Sequence, residues 1–430
     1  MVSSLAKPQQ GQVIVASNNM DSLYTETHDL GIIGGGICGA GIARDAALRG
    51  IRVVLFEKNE FGSGTSGKSS KLIHGGIRYL ELAWNSFKRA DFSEAWKNFN
   101  FVFVSLRESR RLRRLAPSLV QPLELLVPIY KDDRRKPWIM YGGTVLYFIL
   151  ALFSGRAKFP RIYPSRAAAL KALPDLDPEG LLGAVKIWDH WVDDRALVLA
   201  TMESAKKSGA QCFEKMPIVH YEHDKTSNTF LLHVTDRAQE KKVRVRKLIN
   251  ATGPWLDKIK QLSHEKEKDY LCPVAGCHLM LNSFLPCSTL LQARDNRFFF
   301  VINHGGQARV GTTERVVSNV DAVQPTEEEI DYLLSSLNRY FPKKNFTRKD
   351  ILNRDAGVRP LAAPDSPIEA NKISREHKIR VSPSGCIHMI GVKLTDHRRA
   401  AEEVVDRLVP LLLPANPKLR HKSQTGRLPL

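Results

Sequence analysis

The length, composition and charge of the chain set the first limits on what it can be. Of its 430 residues, 43% are hydrophobic and 25% are charged, which is typical of a folded globular protein with two intertwined or adjacent domains. The formal net charge of +19 favours anionic partners such as phosphorylated metabolites, anionic lipid headgroups or nucleic acid. The six cysteines show no C-x-x-C spacing, so we expect reduced, buried thiols rather than a disulfide framework or a metal site.

Residues 1–28 show no strong periodicity and predict a flexible N-terminal extension, without the features of a secretory signal or a typical mitochondrial transit peptide. Order is expected from Asp29 onward. An apolar run over 30–33 leads into a glycine turn, 37–49 is typical of a helix, and 51–57 is typical of a second strand. This succession predicts a βαβ unit.

A glycine pattern lies between the first strand and the helix of this unit. In Gly34-x-Gly36-x-x-Gly39, the first glycine permits a tight turn, the second a close approach of a pyrophosphate, and the third close packing of helix on strand. The helix N-terminus favours phosphate, and Glu57 at the end of the second strand is placed to accept hydrogen bonds from a ribose. The pattern predicts one dinucleotide site, and therefore one redox cofactor.

The next segments are a polar loop, a helical region and an uncharged stretch. Residues 62–76 are rich in Ser, Gly and Lys and predict a loop around a ligand, and 79–115 show helical patterning. Residues 138–155 carry no charge and have basic flanks. We favour a helix half sunk in a membrane interface for this stretch, with a buried core helix and a true membrane span as the alternatives.

The second half of the chain alternates apolar strands with polar turns. We predict paired strands at 230–234 and 243–249, a hairpin formed by 298–302 and 308–311, a helix capped by Thr326 and a last helix over 400–413. The basic tail over 416–430 is expected to be frayed.

Six motifs resemble the FAD-dependent glycerol-3-phosphate dehydrogenase family. They are SSKLIHGGIRYL at 69–80, WVDDR at 191–195, NATGPW at 250–255, GTT at 311–313, GVRPL at 357–361 and KLT at 393–395. The likeness runs from about residue 29 to 411. Members of the family usually continue into a further C-terminal helical domain, which we do not find in these 430 residues.

The resemblance implies an α/β fold with an α+β substrate part, in which a Rossmann-like FAD-binding domain of the glutathione-reductase type is interleaved with a mixed-sheet substrate domain. We expect the FAD domain in 29–130, 186–260 and 351–415, the last also contacting substrate. The uncharged helix region would occupy 131–185 and the substrate domain 261–350.

The resemblance also implies oxidation of sn-glycerol 3-phosphate to dihydroxyacetone phosphate, with electrons passed to quinone or another acceptor. Peripheral membrane contact is expected, at the cytoplasmic face of the inner membrane or in the cytoplasm. We leave a homodimer open. Nucleic-acid binding is the weakest option, because no recognised module supports it.

The polar loop supplies most of the expected cofactor contacts. Hydroxyl and ammonium groups there can bond the pyrophosphate and the edge of the flavin, with a flexible polar loop as the alternative. A backbone without side chains can pass close to the flavin ring. The predicted cofactor ligands in addition to the glycine pattern and Glu57 are Thr65, Ser66, Ser69, Ser70, Lys71, His74, Gly75, Gly253, Lys393, Leu394 and Thr395.

The resemblance places a second set of residues around the substrate. Arg359 and Arg375 are the predicted phosphate clamps, with help from Arg78, because guanidinium groups hold phosphate bidentately. His278 is the predicted proton acceptor, with a structural histidine as the alternative. Lys393 would stabilise reduced flavin or hold substrate, with a surface lysine as the alternative, and Tyr79 completes the set. No metal ligand is predicted.

The chain departs from the family at several positions. Val392 stands where the family has a glycine, Asp396-His397 replace Thr-Tyr, Asn303-His304 replace Pro-Trp, Cys277 replaces Ser, and Glu314 replaces Asp. A valine beside the flavin would reshape the pocket, and Asp396 would add negative charge near a phosphate site. Two alternatives therefore stay open: oxidation of an amine or amino acid, and a flavin-binding, membrane-associated protein whose catalysis is lost.

Overall fold

The computed structural model describes residues 20–133, 137–155, 157–236, 239–263, 268–364 and 376–430. Its helices are α1 Met20–Thr25, α2 Ile37–Leu48, α3 Arg78–Lys88, α4 Phe92–Leu115, α5 Pro137–Phe153, α6 Arg166–Ala172, α7 Asp194–Lys207, α8 Leu256–Gln261, α9 Glu327–Tyr340 and α10 His397–Leu412. Its strands are β1 Thr27–Ile33, β2 Val53–Phe56, β3 Leu72–Ile73, β4 Val120–Tyr130, β5 Arg161–Tyr163, β6 Leu181–Val192, β7 Gln211–Phe213, β8 Ile218–Asp224, β9 Thr229–Asp236, β10 Gln239–Asn250, β11 Leu271–Asn282, β12 Ser288–Gln292, β13 Phe298–His304, β14 Gln307–Gly311, β15 Arg315–Val316, β16 Asn353–Ala362, β17 Lys378–Val381 and β18 Ile387–Ile390.

The first sheet has the order β17-β18-β10-β1-β2-β7, with β9 beside β10 and β8 beside β9. Its central strands β18, β10, β1, β2 and β7 run parallel. Parallel strands that are covered on both faces have continuous apolar sequences, because successive side chains are buried on opposite faces. The buried residues of β1 and β2 include Leu30, Ile32, Val54 and Leu55. The predicted βαβ unit is confirmed, because β1 pairs with β2 and α2 connects them.

The second sheet has the order β15-β11-β14-β13-β12-β4-β6-β3, with β16 beside β11 and β5 beside β6. The predicted hairpin is confirmed as β13 and β14. The predicted Thr326 cap is also confirmed, since the Thr326 side chain and Glu329 form a reciprocal capping box at the start of α9. Helix α9 packs Ile330, Leu333 and Leu337 into the core beneath this sheet.

The helical region over 79–115 is two helices rather than one. The chain breaks at Ala90, whose φ of 57° is left-handed, and Asp91 then caps α4 by accepting a hydrogen bond from the Glu94 backbone N–H at 3.0 Å. The domain borders also differ from those expected. Strand β4 and residues 186–192 of β6 were expected in the FAD domain, within 29–130 and 186–260. Both lie in the second sheet, where β4 pairs with β6.

Both ends of the chain differ from the loose segments expected. Residues 1–19 lie outside the described part, but α1 and the start of β1 already fall within 20–28, and Leu23 is buried. The tail over 416–430 folds back onto the body. Leu430 donates its backbone N–H to Leu115 O at 2.9 Å, Arg44 donates to Leu428 O at 2.7 Å, and Thr425 is buried. Polar partners on α2 hold this segment in place.

Helix α5 contains most of the uncharged stretch and presents two different faces. Thr144, Tyr147 and Leu150 are buried against the body, whereas Ile149 and Phe153 are exposed, Phe153 at 76%. A fully buried core helix is therefore excluded. Within the part of the chain that the structure describes, no helix combines the length and apolar character needed to cross a bilayer.

Candidate active site

A cleft of about 940 Å³ runs from the first sheet towards the second. Its walls include Gly34 and Gly36 after β1, Glu57 after β2, Gly253 after β10, and Gly357 in β16. The carboxyl ends of parallel strands meet at one edge of a sheet, which is where open α/β sheets bind ligands. The sequence-predicted cofactor residues of the glycine turn are thus brought together at this edge.

A different geometric constraint accounts for glycine at each of the three positions of the pattern. Gly34 has a φ of +107°, and a Cβ there would lie 2.8 Å from Ala251 O. A Cβ on Gly39 would lie 1.9 Å from Gly34 O, so helix α2 can pack on the turn only with glycine there. Gly36 faces the cleft, where a Cβ would meet only the Ser66 hydroxyl, at 3.0 Å. This leaves a cradle for a pyrophosphate at the N-terminus of α2.

Glu57 is held in place at the end of β2. Its two carboxylate oxygens accept hydrogen bonds from the backbone N–H groups of Gly35, at 2.7 Å, and Asn59, at 2.9 Å. Each oxygen has a second lone pair, which can accept a ribose hydroxyl. Ile218 and Ile259 line the same end of the cleft and offer an apolar surface to a nucleobase. The residues present therefore fit an adenine dinucleotide.

The polar loop over 62–76 divides into residues that reach the cleft and residues that hold the loop. Thr65 and Ser66 line the cleft, as predicted. Ser69 and Lys71 instead bind Asp194, which accepts the Ser69 hydroxyl at 2.7 Å and the Lys71 ammonium at 2.5 Å. Asp194 is completely buried. Ser69 and Lys71 thus hold the loop in place, because this buried carboxylate needs compensating donors, and their cofactor contacts stay predictions.

Gly75 also has a different environment from the one expected. Its backbone N–H donates to the Tyr147 hydroxyl at 2.9 Å, and a Cβ there would lie 2.5 Å from the Leu106 side chain. Glycine is therefore required at this position by the close approach of α4 and α5. The His74 ring lies 6.5 Å from the Phe300 ring in a tilted arrangement.

The second sheet contributes a strip of paired residues from β11 and β16. Gly276 lies opposite Gly357, and His278 lies opposite Asp355. Alternate residues of a strand share a face, so Arg359 lies on the same face of β16 as Gly357 and Asp355. The two glycines let neighbouring groups approach the sheet closely: a Cβ on Gly357 would lie 2.9 Å from Lys68 O, and one on Gly276 would lie 2.9 Å from Nη2 of Arg359. The imidazole and the guanidinium belong to the residues on either side of this glycine pair. We call this arrangement the paired-glycine strip.

The imidazole of His278 is buried within hydrogen-bond distance of the polar loop. Its Nε2 lies 2.8 Å from the Ser70 hydroxyl oxygen, and its Nδ1 lies 3.5 Å from an oxygen of Asp355. Burial lowers the pKa of His278 to about 4, with Arg309 and Arg359 acting in the same direction and Asp355 opposing them. The ring is therefore neutral at neutral pH and can accept a proton.

Arg309 fixes the carboxylate beside that imidazole. It donates two hydrogen bonds to Asp355, at 2.9 and 2.7 Å, and a third to Ser69 O at 3.0 Å. Burial alone would raise the pKa of Asp355, but the nearby His278 and the two hydrogen bonds from Arg309 lower it to about 2. Asp355 is thus a permanent anion that orients both neighbours.

The guanidinium of Arg359 occupies the other end of the strip. It donates to the Thr312 hydroxyl at 3.0 Å and to Thr313 O at 3.4 Å. A Cβ on Gly276 would lie 2.9 Å from its Nη2, so the glycine makes room for it. Gly357, on the same face of β16, lines the cleft.

Comparison with known proteins agrees with this geometry. The sequence model of the FAD dependent oxidoreductases matches residues 29–393. A glycerol-3-phosphate dehydrogenase of Synechocystis sp. is 34% identical, covering 91% of this chain and 71% of its own length. The aerobic glycerol-3-phosphate dehydrogenase of Bacillus subtilis is 33% identical, covering 90% and 68%. The structure of glycerol-3-phosphate dehydrogenase from Bacillus halodurans in complex with FAD superimposes with a TM-score of 0.73 at 27% identity, covering 94% and 68%.

The chain belongs to the FAD-dependent oxidoreductases, within the glycerol-3-phosphate dehydrogenase family. FAD is its cofactor, and the cleft built by the glycine turn and Glu57 is where the chain offers the groups to hold it. The predicted fold class is confirmed, with a dinucleotide-binding sheet and a second, mixed sheet joined by repeated crossings of the chain.

Lys393 follows β18 and lies against aromatic rings. Its ammonium is 3.8 Å from the centroid of the Phe101 ring and 3.4 Å from the Tyr79 hydroxyl. Cation–π contact of this kind stabilises a charged lysine and limits its motion. The preceding Val392 lines the cleft.

Leu394 and Thr395 were predicted to contact the cofactor. Leu394 packs against the core beneath the first sheet and Thr395 is buried, and neither of them lines the cleft.

Two departures from the family pattern lie away from the cleft. Asp396 is buried at the start of α10, its oxygen lies 3.4 Å from the Ser105 hydroxyl, and burial raises its pKa. Burial thus opposes ionisation of this carboxyl group, whereas the nearby charge of Lys393 favours it. His304 stacks on the Trp191 ring at 3.5 Å between centroids, in the β13–β14 hairpin.

Some predicted residues cannot be placed. Arg375 lies outside the described residues, as does the side chain of Arg78, and both stay predictions. Four residues of the site had no predicted role, namely Asp194, Gly276, Arg309 and Asp355. Asp194 lies within the WVDDR motif, which is the local signal that could have indicated it. Arg309 and Asp355 carry no local signal, because their partners are distant in the chain.

Proposed function

We propose that the chain oxidises sn-glycerol 3-phosphate to dihydroxyacetone phosphate and passes the electrons to quinone or another acceptor. The observation that carries the proposal is the paired-glycine strip, which holds a neutral imidazole and a guanidinium at its two ends and adjoins the FAD cleft. A small molecule with an alcohol at one end and a phosphate at the other matches this pair of groups. The relatives named glycerol-3-phosphate dehydrogenase support the same substrate.

The reaction removes a hydride from the carbinol carbon and a proton from its hydroxyl, leaving a ketone. FAD, when bound, supplies the hydride acceptor. His278 takes the proton at Nε2, directly or through the Ser70 hydroxyl that lies 2.8 Å away. Asp355 faces Nδ1 and stabilises the imidazolium that results. The depressed pKa of His278 keeps the base neutral before the reaction.

The phosphate end of the substrate is assigned to cationic side chains. Arg359 is oriented by Thr312 and Thr313 and presents the planar fork that suits phosphate oxygens. Lys393, held by Tyr79 and Phe101, is assigned a second positive charge for the phosphate. Arg78 and Arg375 are proposed to complete the clamp.

The test is a product assay with an artificial electron acceptor. Dihydroxyacetone phosphate should accumulate in proportion to acceptor reduced when glycerol 3-phosphate is supplied. Oxidation of an amine or amino acid is the competing function, because the guanidinium of Arg359 can hold a carboxylate as well as a phosphate. Acceptor reduction with amino acids and none with glycerol 3-phosphate would contradict the proposal.

We also propose that the chain attaches peripherally to the cytoplasmic face of a membrane, where a quinone acceptor dissolves. Four aromatic side chains of α3 and α4 are more than half exposed, namely Trp84, Phe87, Phe92 and Trp96. Aromatic side chains with such exposure are typical of interaction surfaces, and those of interfacial helices insert among lipid headgroups. Flotation with neutral vesicles should be lost in the double variant Trp84→Ser/Trp96→Ser. Equal flotation of both proteins would contradict the attachment.

A further inference from the structure

A second cavity, of about 580 Å³, lies apart from the FAD cleft. Helix α4 forms one wall, helix α5 and the residues that follow it form another, and strands β4 and β6 form the floor. We call it the arginine pocket, because Arg107, Arg110, Arg111, Arg113 and Arg114 of α4 all line it. None of these five residues has been assigned a role above.

Positive charge in the arginine pocket is poorly balanced. Lys158 adds a sixth cationic side chain, and among the described lining residues Asp189 is the one carboxylate. Asp189 is buried and accepts a hydrogen bond from the Tyr147 hydroxyl at 2.7 Å. Burial raises the pKa of Asp189 to about 7, so even this group is only partly ionised at neutral pH. A cavity with this balance attracts an anion.

The arginines of the pocket differ in the hydrogen-bond and ion-pair partners that their side chains already have. Arg111 pairs with Glu108, and Arg113 donates to Val120 O at 3.0 Å. Arg110 has its Nη1 buried without a hydrogen-bond partner, and burial lowers the pKa of its guanidinium. A buried donor without a partner is costly, and an anion in the pocket would satisfy it.

The other half of the pocket is apolar and reaches the outer surface. Phe148 and Ala151 of α5 line it. The Phe148 ring packs edge-on against Phe159, with centroids 4.9 Å apart, and Phe159 is 62% exposed. Phe153 at the end of α5 is exposed as well. An occupant bound by the arginines would thus have an apolar path out of the pocket along α5.

We propose that the arginine pocket binds the phosphate group of an anionic phospholipid, with the acyl chains lying along the exposed side of α5. A free phosphate shares the headgroup chemistry, but it would leave the apolar half of the pocket unused. The assignment does not depend on the substrate proposed above. It also goes beyond general membrane attachment, because it assigns one lipid to one cavity.

The test uses the FAD-loaded protein and short-chain lipids below their micellar concentration, so that binding to a membrane surface does not enter. Titration calorimetry with dihexanoyl phosphatidylglycerol should show one site per chain. Dihexanoyl phosphatidylcholine and inorganic phosphate should each bind at least about tenfold more weakly, because the first lacks net charge and the second lacks acyl chains. Equal binding of phosphatidylcholine, or equal binding of inorganic phosphate, would overturn the assignment.

Matched variants separate the pocket from the general surface charge. Arg110→Gln/Arg114→Gln should weaken phosphatidylglycerol binding at least about tenfold, because two charged donors to the phosphate are removed. Lys343→Gln/Lys349→Gln removes the same charge from exposed positions elsewhere and should change binding less than about twofold. Equal losses in the two variants would overturn the proposal.

A third variant tests the cavity without removing any charge. Ser154 lines the pocket at the end of α5, and Ser154→Trp fills it while all the arginines stay. Phosphatidylglycerol binding should fall at least about tenfold, while FAD content and melting temperature stay at wild-type values, which establishes that the variant is folded. Undiminished binding in folded Ser154→Trp would contradict the site.

Discussion

The two ends of the active site are built in different ways. The cofactor end uses backbone groups and glycines from one short stretch of chain, Gly34 to Gly39, with Glu57 close behind. The reaction end uses side chains from separate strands, His278 on β11 and Asp355 and Arg359 on β16. The first is fixed by local sequence and the second by the pairing of distant strands. Substitutions at the cofactor end should therefore lower FAD binding, whereas substitutions at the reaction end should lower kcat or substrate affinity.

The largest effect is expected from Gly39→Val. A Cβ there would lie 1.9 Å from Gly34 O, a backbone atom that cannot move away without opening the glycine turn. Overpacking of this kind costs about 1–3 kcal/mol or more, and the distortion falls on the cofactor cradle itself. FAD should be lost, as measured by the ratio of visible to ultraviolet absorbance of the purified protein.

Gly142→Ala is the control for that substitution. A Cβ at Gly142 in α5 has nothing within 4 Å, so FAD content and stability should stay unchanged or rise by up to about 1 kcal/mol from the better helix former. Full FAD content in Gly39→Val would remove the distinction between the two ends of the site.

His278→Gln should leave FAD bound and lower kcat by about 10²–10⁴-fold, which is the usual contribution of a positioned general base. Because the pKa of His278 is lowered to about 4, the neutral base is present above that pH. The acidic limb of kcat/KM in the wild type should accordingly lie near pH 4–5 rather than 6.5. A wild-type limb centred at 6.5 would contradict the lowered pKa of the base, and unchanged kcat in the variant would show that His278 is structural.

Arg359→Met should act mainly on substrate affinity. The variant removes a guanidinium assigned to phosphate while keeping an apolar side chain of similar length, so KM should rise about 10–100-fold with FAD content unchanged. Arg420→Met is the control, because Arg420 is an exposed residue of the C-terminal segment. A fall in kcat at constant KM would instead place Arg359 with the reacting atoms.

The smallest effect is expected far from the cofactor, at Asp189. Burial raises its folded pKa to about 7, above the value of 3.8 for an unperturbed aspartate, so the folded state holds a proton that the unfolded state has lost. This proton contributes fully to the free energy of unfolding below pH 3.8, and the contribution is lost as the pH rises towards 7. Between pH 5 and 6 the loss should be about 1.4 kcal/mol.

Denaturant unfolding of the wild type and Asp189→Asn at both pH values measures this slope. The neutral amide resembles the protonated acid and can still accept the Tyr147 hydroxyl, so the variant should lack this component of the pH dependence. An identical slope in the two proteins would mean that Asp189 is ionised in the fold.

Sequence reasoning succeeded where the signal is local. The glycine turn, the β13–β14 hairpin and the Thr326 cap each depend on residues close together in the chain, and each was predicted with its physical cause. The contacts of Ser69 and Lys71 with Asp194 were not predicted. Their polar side chains suit a flavin equally well, and only the fold brings the buried Asp194 to them.

The second sheet was harder to predict, because its contacts join residues that are far apart in the chain. The pairing of Gly276 with Gly357 is one such contact, and neither glycine alone predicts the other. Arg309 and Asp355 likewise meet only across the sheet. The break at Ala90 was missed although Asp91 and Glu94 stand at capping positions, because the apolar pattern continues on both sides of it.

One measurement tests the central claim most directly: the anaerobic absorbance spectrum of the purified protein before and after addition of glycerol 3-phosphate. The account predicts the absorbance bands of oxidised flavin at the start and their bleaching by the substrate. Flavin bands that persist with glycerol 3-phosphate, in protein that chemical reductant does bleach, would contradict the assigned substrate while leaving the FAD site standing.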